Sequence, residues 1–394
     1  MSRHRRVLSK LAIACATTLA VSLSGGGAAA VDEHEGQVAP LPALGVLGAN
    51  FNENLDQLSY PELRTARADW VRGFYALPEA DQVPPARSGT IVALHDAHAR
   101  GFHTVLSLKF PMADRSFPQP GTAAMDAELA RLDRVLPLVL GIADIVTIGN
   151  EPFIESIPAE RDQRLNRFYE TVARHVIEAR ERLCGSGCPT HLYMGALNRL
   201  DIPANRTPAV ERYLGFVRET PELEGVDLHP HVPDEDAIQP FLDYTLPRLR
   251  SDQTFLVTEF SLVWRWQQHM SDPIPATFAK RYGYAPDTQV WQVIGDAIAH
   301  PFPSREWDDL LAESPWFESE KHLLRDEMAR FRITGRLAAA MYGFRQVPSM
   351  TAGWNANKPP WLLNSVFATL TVQPRGTGMS APGYAWLDDF RSLQ

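Results

Sequence analysis

Two hydrophobic patterns alternate along the chain. Short runs of consecutive apolar residues, as expected of strands buried on both faces, lie at Leu44–Phe51, Ala68–Tyr75, Phe102–Phe110, Ala143–Asn150, His191–Asn198, Val226–His229, Thr254–Phe260 and Phe344–Gly353. Between them are longer stretches with helical spacing, at Gly89–Arg100, Ala123–Val139, Arg161–Arg182 and Thr207–Arg218. In the third of these, Leu165, Phe168, Val172, Val176 and Ile177 share one face. Eight strands alternating with helices predict an α/β fold with a parallel sheet closed into a (β/α)8 TIM barrel. A doubly wound open sheet is the competing architecture, but no glycine-rich phosphate loop follows the first strand. The rhythm breaks between Phe260 and Phe344, where Trp264, Trp266, Trp291, Trp307 and Trp316 fall among prolines and charges. We expect residues 261–335 to form an enlarged segment after strand seven, with the seventh helix near Glu318–Met341. No compositional break marks a second domain, so residues 31–394 are expected to form a single barrel.

Residues 1–30 read as an address. Arg3, Arg5, Arg6 and Lys10 precede the apolar run Leu11–Leu23, and Ala28-Ala29-Ala30 offers a small-residue cleavage site. This is the three-part pattern of a secretory signal peptide, and Arg5-Arg6 leaves both Sec and twin-arginine export open. The apolar run is shorter than the roughly 20 residues of a membrane span. Removing the four basic residues takes the formal charge from -9 to -13. That balance speaks against a nucleic-acid partner, which selects for a basic face. Cys15 leaves with the signal, and the remaining pair, Cys184 and Cys188, is expected to form a local disulfide in an exported chain. The protein is expected to be soluble, secreted or periplasmic, bacterial and monomeric, with no membrane partner.

In such a barrel chemistry lies at the C-terminal ends of the strands. Two of the apolar runs end there in glutamate: Gly149-Asn150-Glu151-Pro152 after strand four and Thr258-Glu259-Phe260 after strand seven. A carboxylate directly after a buried strand is costly unless it faces the open mouth. Two carboxylates on one face suit glycoside hydrolysis, in which one gives a proton and the other attacks or activates water.

Asn150-Glu151-Pro152 together with Glu259 resembles glycoside hydrolase clan A, the barrel superfamily that includes the family 5 cellulases and mannanases and the family 39 xylosidases. Arg72, in Trp70-Val71-Arg72-Gly73-Phe74, is similar to the arginine after strand two, and Trp354 to the tryptophan after strand eight that floors the sugar site. The resemblance implies a retaining glycosidase with Glu151 as acid/base, Glu259 as nucleophile and Asn150 on the sugar 2-hydroxyl. It also implies carboxyl groups about 5–5.5 Å apart. At strand six the family's His-x-Tyr is replaced by His229-Pro230-His231, with His231 favoured in the tyrosine's place. Asn50, Asn52, Lys109 and Asn198 end other strands and are candidate sugar contacts, as is Trp264. The substrate is expected to be a carbohydrate, with no metal or organic cofactor. Two other readings stay open: a non-catalytic carbohydrate-binding barrel, and a metal-dependent hydrolase built on His229 and His231.

Overall fold

Eight strands, β1 (Val46–Asn50), β2 (Trp70–Ala76), β3 (His103–Lys109), β4 (Ile145–Ile148), β5 (His191–Asn198), β6 (Gly225–His229), β7 (Thr254–Val257) and β8 (Leu337–Gly343), pair in chain order. Every pair is parallel, and β8 returns to β1 with Asn50 opposite Gly343, so the barrel closes. The computed structural model describes residues 41, 43–185, 187–376 and 378–394. Residues 1–30, the segment expected to be an export signal, and Cys15 within it lie outside the described residues. Among the described residues no helix is long and apolar enough to cross a membrane.

Strand side chains point alternately toward the barrel axis and toward the helices. The outward set, including Val71, Leu106, Val146, Leu192, Val226, Phe255 and Ala340, joins the large core packed against the helices. The inward set fills the lower barrel as a separate cluster of Trp70, Val105, Ile145, Tyr193, Leu256, Ala339 and Met341. Trp70 sets the volume available there. A Cβ on Gly48 would sit 2.6 Å from Trp70 Cβ and 2.4 Å from Met341 Sδ. Glycine and alanine on β1 and β8 thus accommodate the indole on β2, as close packing of the layers requires.

The first seven strands and the four helices fall where the pattern placed them, within a few residues. The eighth strand does not: it runs Leu337–Gly343 and not Phe344–Gly353, and the preceding helix is Leu323–Ile333. Leu337-Ala338-Ala339-Ala340-Met341 carries high helix propensity, and tertiary packing around Trp70 overrides it. Helices Val263–Gln268, Ala276–Tyr282, Val290–Ala299, Ser304–Glu313 and Pro315–Glu318 fill the segment between β7 and the last barrel helix. Trp266 and Trp307 are buried there, and Trp316 stacks on His269. Cys184 and Cys188 form a disulfide at the end of helix Gln163–Cys184, with Cα atoms 5.0 Å apart.

Candidate active site

Two residues beyond the apolar cluster, the inward positions turn polar. Gly48 is followed by Asn50, Trp70 by Arg72, Val105 by Ser107, Gly225 by Asp227 and His229, and Leu256 by Thr258. Arg72 is fully buried and its guanidinium organises this layer. It donates to Ser107 Oγ at 3.0 Å, to Asn50 and Asn52 Oδ1 at 3.1 Å, to Asn150 Oδ1 at 3.3 Å and to Glu259 Oε1 at 2.7 Å. A buried guanidinium is tolerable only when its donors are satisfied in this way.

Glu151 and Glu259 meet over His229. The ring's Nδ1 lies 3.1 Å from Glu151 Oε1 and 3.7 Å from Glu259 Oε1. The two oxygens are therefore separated by no more than the sum of those distances. On the far side, Nε2 is 2.9 Å from Thr258 Oγ1, whose own hydroxyl donates to Asp227. With that hydrogen committed, the Thr258 oxygen must accept, so Nε2 carries a proton and Nδ1 is the titrating nitrogen. His231 sits on the other side of Glu259, with Nε2 3.5 Å from Oε2 and Nδ1 2.8 Å from Ser261 Oγ. A short parallel bridge between His231 and Ser261 extends the β6–β7 pairing past the strand ends and fixes that ring.

The charges shift one another's protonation. Burial acts to push both carboxyl groups up. The hydrogen bond and charge of His229 outweigh it at Glu151, despite the opposing charge of Glu259, and hold that carboxyl below its ordinary value. At Glu259 burial is outweighed by the charges of His229 and Arg72 together with His231, leaving the group well below the usual range. Burial alone would lower His229, but the charges of Glu259 and Asp227 and the hydrogen bonds to Asp227 and Glu151 push it up to about 10. At neutral pH the free site therefore holds Glu151 and Glu259 as carboxylates around a protonated His229.

These groups open onto a cavity of about 380 Å³ at the barrel mouth, lined by Asn50, Asn52, Glu151, Asn198, Arg199, His231, Glu259, Trp264, Lys358 and Trp361, among others. Among the described residues, five non-glycine residues have positive φ, and three of them (Asn52, Glu151 and Arg199) line it. Glu151, at φ 43°, also precedes a proline. Such backbone costs about 1–3 kcal/mol per residue and concentrates at functional sites. Gly149 makes the turn possible, since at φ 106° a Cβ would lie 2.9 Å from Gly195 O. Two cavity-lining donors, Asn198 Nδ2 and Trp264 Nε1, are buried with no hydrogen-bond partner among the described residues.

Of the residues singled out from the sequence, Asn50, Asn52, Arg72, Glu151, Asn198, His229, His231, Glu259 and Trp264 come together here. Asn150 lies beneath the cavity, bonded to Arg72. Lys109 does not line the cavity; its ammonium pairs with Glu155 at 2.5 Å. Trp354 is a correction. Its indole donates to Trp291 O at 2.8 Å and packs against the enlarged segment, because β8 ends at Gly343 and Trp354 belongs to a later loop. The tryptophan that lines the cavity after β8 is Trp361, set edge-on to His231 at 4.8 Å and to Trp264 at 6.2 Å. Asp227, Thr258 and Ser261 were also missed as site residues. The first two were detectable from the alternation that puts Asp227 on the face of His229, and from the adjacency of Thr258 to Glu259.

No protein-family model and no curated protein matches the sequence. Solved structures do resemble the chain. Xylanase B from Clostridium stercorarium F9 superposes with a TM-score of 0.51 at 12% identity, covering 87% of this chain and 95% of that one. The GH53 catalytic domain of Ignisphaera aggregans superposes with a TM-score of 0.45 at 16% identity, covering 90% and 99%. An endo-β-1,4-glucanase from Xanthomonas axonopodis pv. citri gives 0.45 at 12% identity, covering 88% and 98%. At these identities the likeness to xylanase B establishes a shared fold.

Proposed function

We propose that the protein is an exported retaining glycoside hydrolase acting on a poly- or oligosaccharide, with Glu259 as nucleophile and Glu151 as acid/base. The observation that carries this reading is one histidine nitrogen set between two carboxylates, 3.1 Å from Glu151 and 3.7 Å from Glu259, beside an open cavity. The upper bound this sets on the distance between those two carboxylate oxygens is compatible with the retaining separation of about 5–5.5 Å.

The roles follow from the surroundings. Glu259, ionised and oriented by Arg72, attacks the anomeric carbon as the bond to the leaving oxygen breaks. Glu151 gives that oxygen its proton, leaving a glycosyl ester on Glu259. Glu151 then takes a proton from water, the hydroxide attacks the anomeric carbon, and the ester bond breaks to free Glu259. The free site keeps the required proton on His229, at the other end of the Glu151 hydrogen bond. A sugar bound over Glu151 excludes water and weakens the case for a carboxylate there, so the proton moves to Glu151. Asn198 Nδ2 and Trp264 Nε1 would donate to sugar oxygens, and the faces of Trp264 and Trp361 would carry ring C–H surface. The names of the similar structures include a xylanase and an endo-β-1,4-glucanase, so the fold leaves the sugar open. Export, read from residues 1–30, accords with the Cys184–Cys188 disulfide.

The test is hydrolysis of cellulose, mannan, xylan, β-1,3-glucan, galactan and arabinan by wild type, Glu151→Gln and Glu259→Gln. Cleavage of at least one polymer is expected, with Glu259→Gln slower by more than about 10⁴-fold. Binding of a polymer equally by all three proteins, without cleavage by any, would establish the carbohydrate-binding reading instead.

A further inference from the structure

We propose that the cavity is also a binding site for a divalent transition-metal ion of borderline softness, with Glu151, His229 and His231 as ligands, and that the ion and the sugar exclude each other. One ligand atom from each residue lies within 4.8 Å of the other two. Ligands of a tetrahedral zinc ion bonded at 2.0–2.1 Å are about 3.3 Å apart. Glu151 Oε1 and His229 Nδ1 already stand at 3.1 Å, so closing the set requires only His231 to move inward.

The independent observation is the far side of each ring. His229 Nε2 is held by Thr258, with Asp227 behind it at 3.4 Å, and His231 Nδ1 is held by Ser261. Each imidazole thus has its outer nitrogen anchored on oxygen, while the inner nitrogen of His229 faces Glu151 and Glu259 and that of His231, which lines the cavity, faces Glu259. Anchoring of this kind holds the ring orientation that a metal-binding histidine needs, and at His229 it also sets the tautomer. Two imidazoles and one carboxylate leave a fourth position open to the cavity, and they favour zinc or copper over magnesium or calcium. The Glu259 carboxylate beside them adds a second negative charge: its Oε2 faces His231, while its Oε1 faces His229 and is shared with Arg72. A bound ion would occupy the place of the shared proton and tie Glu151 down.

The binding half of this proposal stands apart from the glycosidase reading, and the exclusion half rests on it. Titration calorimetry of the purified protein with zinc chloride is expected to give one ion per chain, and magnesium chloride none. His231→Gln should abolish zinc binding. Ser261→Ala, a milder change, should weaken it about 10–100-fold with an unchanged circular dichroism spectrum. On the polymer that the protein cleaves, zinc should raise the apparent KM and a chelator should reverse the effect. Equal zinc affinity in wild type, His231→Gln and Ser261→Ala would overturn the site. Stoichiometric zinc with no effect on hydrolysis would overturn the exclusion. Specific zinc binding by a protein that cleaves no polymer would support the site and count against the glycosidase reading.

Discussion

The two halves of the barrel interior are built from the same strands and differ within two residues. Below, Trp70, Val105, Ile145, Tyr193, Leu256 and Met341 pack a largely apolar layer. Above, Arg72, Ser107, Asp227, His229 and Thr258 form a buried hydrogen-bonded layer under Glu151 and Glu259. The lower half derives its stability from area removed from water, about 25 cal/mol per Å². The upper half carries charge into the same kind of interior and is stable only while each charge keeps its partners. Stability and chemistry are therefore separable along each strand. The lower half is expected to tolerate loss of volume at a cost in folding, and the upper half to lose activity when a partner is removed.

Arg72→Met is the sharpest way to break that division, because it leaves Glu259 buried without its guanidinium. The expected result is about 3–5 kcal/mol lost in urea unfolding, together with a fall in kcat of about 10²–10³-fold. Trp70→Ala, two residues earlier, should cost a similar 3–5 kcal/mol while kcat at a temperature below unfolding stays within about threefold. Comparable rate losses in the two variants would dissolve the contrast.

His229→Gln tests the proton arrangement. In wild type the alkaline limb of kcat/KM reports the coupled His229–Glu151 pair and should lie near pH 10. The variant leaves Glu151 as a buried carboxyl with no cation beside it, so the limb should move several pH units toward acid. Stability carries the same signature. A histidine raised to about 10 contributes in full below its unfolded value of about 6.5, and that contribution disappears as pH rises through about 10. The wild-type Tm should fall across that window, and the variant's should fall less. The smallest effect is expected at the rim, where Trp361→Ala should raise KM about tenfold with kcat nearly unchanged, and Trp354→Ala should do neither.

Much of this division can be read from the chain. Seven strands stand out because a parallel barrel strand, covered on both faces, is a short unbroken apolar run. Glu151 and Glu259 stand out because a carboxylate directly after such a run needs an open mouth to face. The eighth strand escaped because Ala338-Ala339-Ala340 satisfies helix propensity, and only the bulk of Trp70 across the barrel explains why small residues belong in a strand there. With β8 ending at Gly343, the tryptophan that lines the cavity is Trp361, a few residues beyond Trp354. The network around His229 was half legible. Asp227 and His229 share a face by period two and Thr258 adjoins Glu259 in the chain, but Ser261 enters only when β6 and β7 are set side by side.

The central claim is that Glu259 forms a bond to the sugar and Glu151 does not. Intact-mass spectrometry of Glu151→Gln, incubated with a panel of dinitrophenyl glycosides, tests it directly. These leaving groups need no proton, so the first step proceeds, while the loss of the base slows release of the intermediate. One glycosyl unit is expected to be added per chain, on the peptide that carries Glu259. Turnover of a dinitrophenyl glycoside with inverted product and no adduct would contradict it.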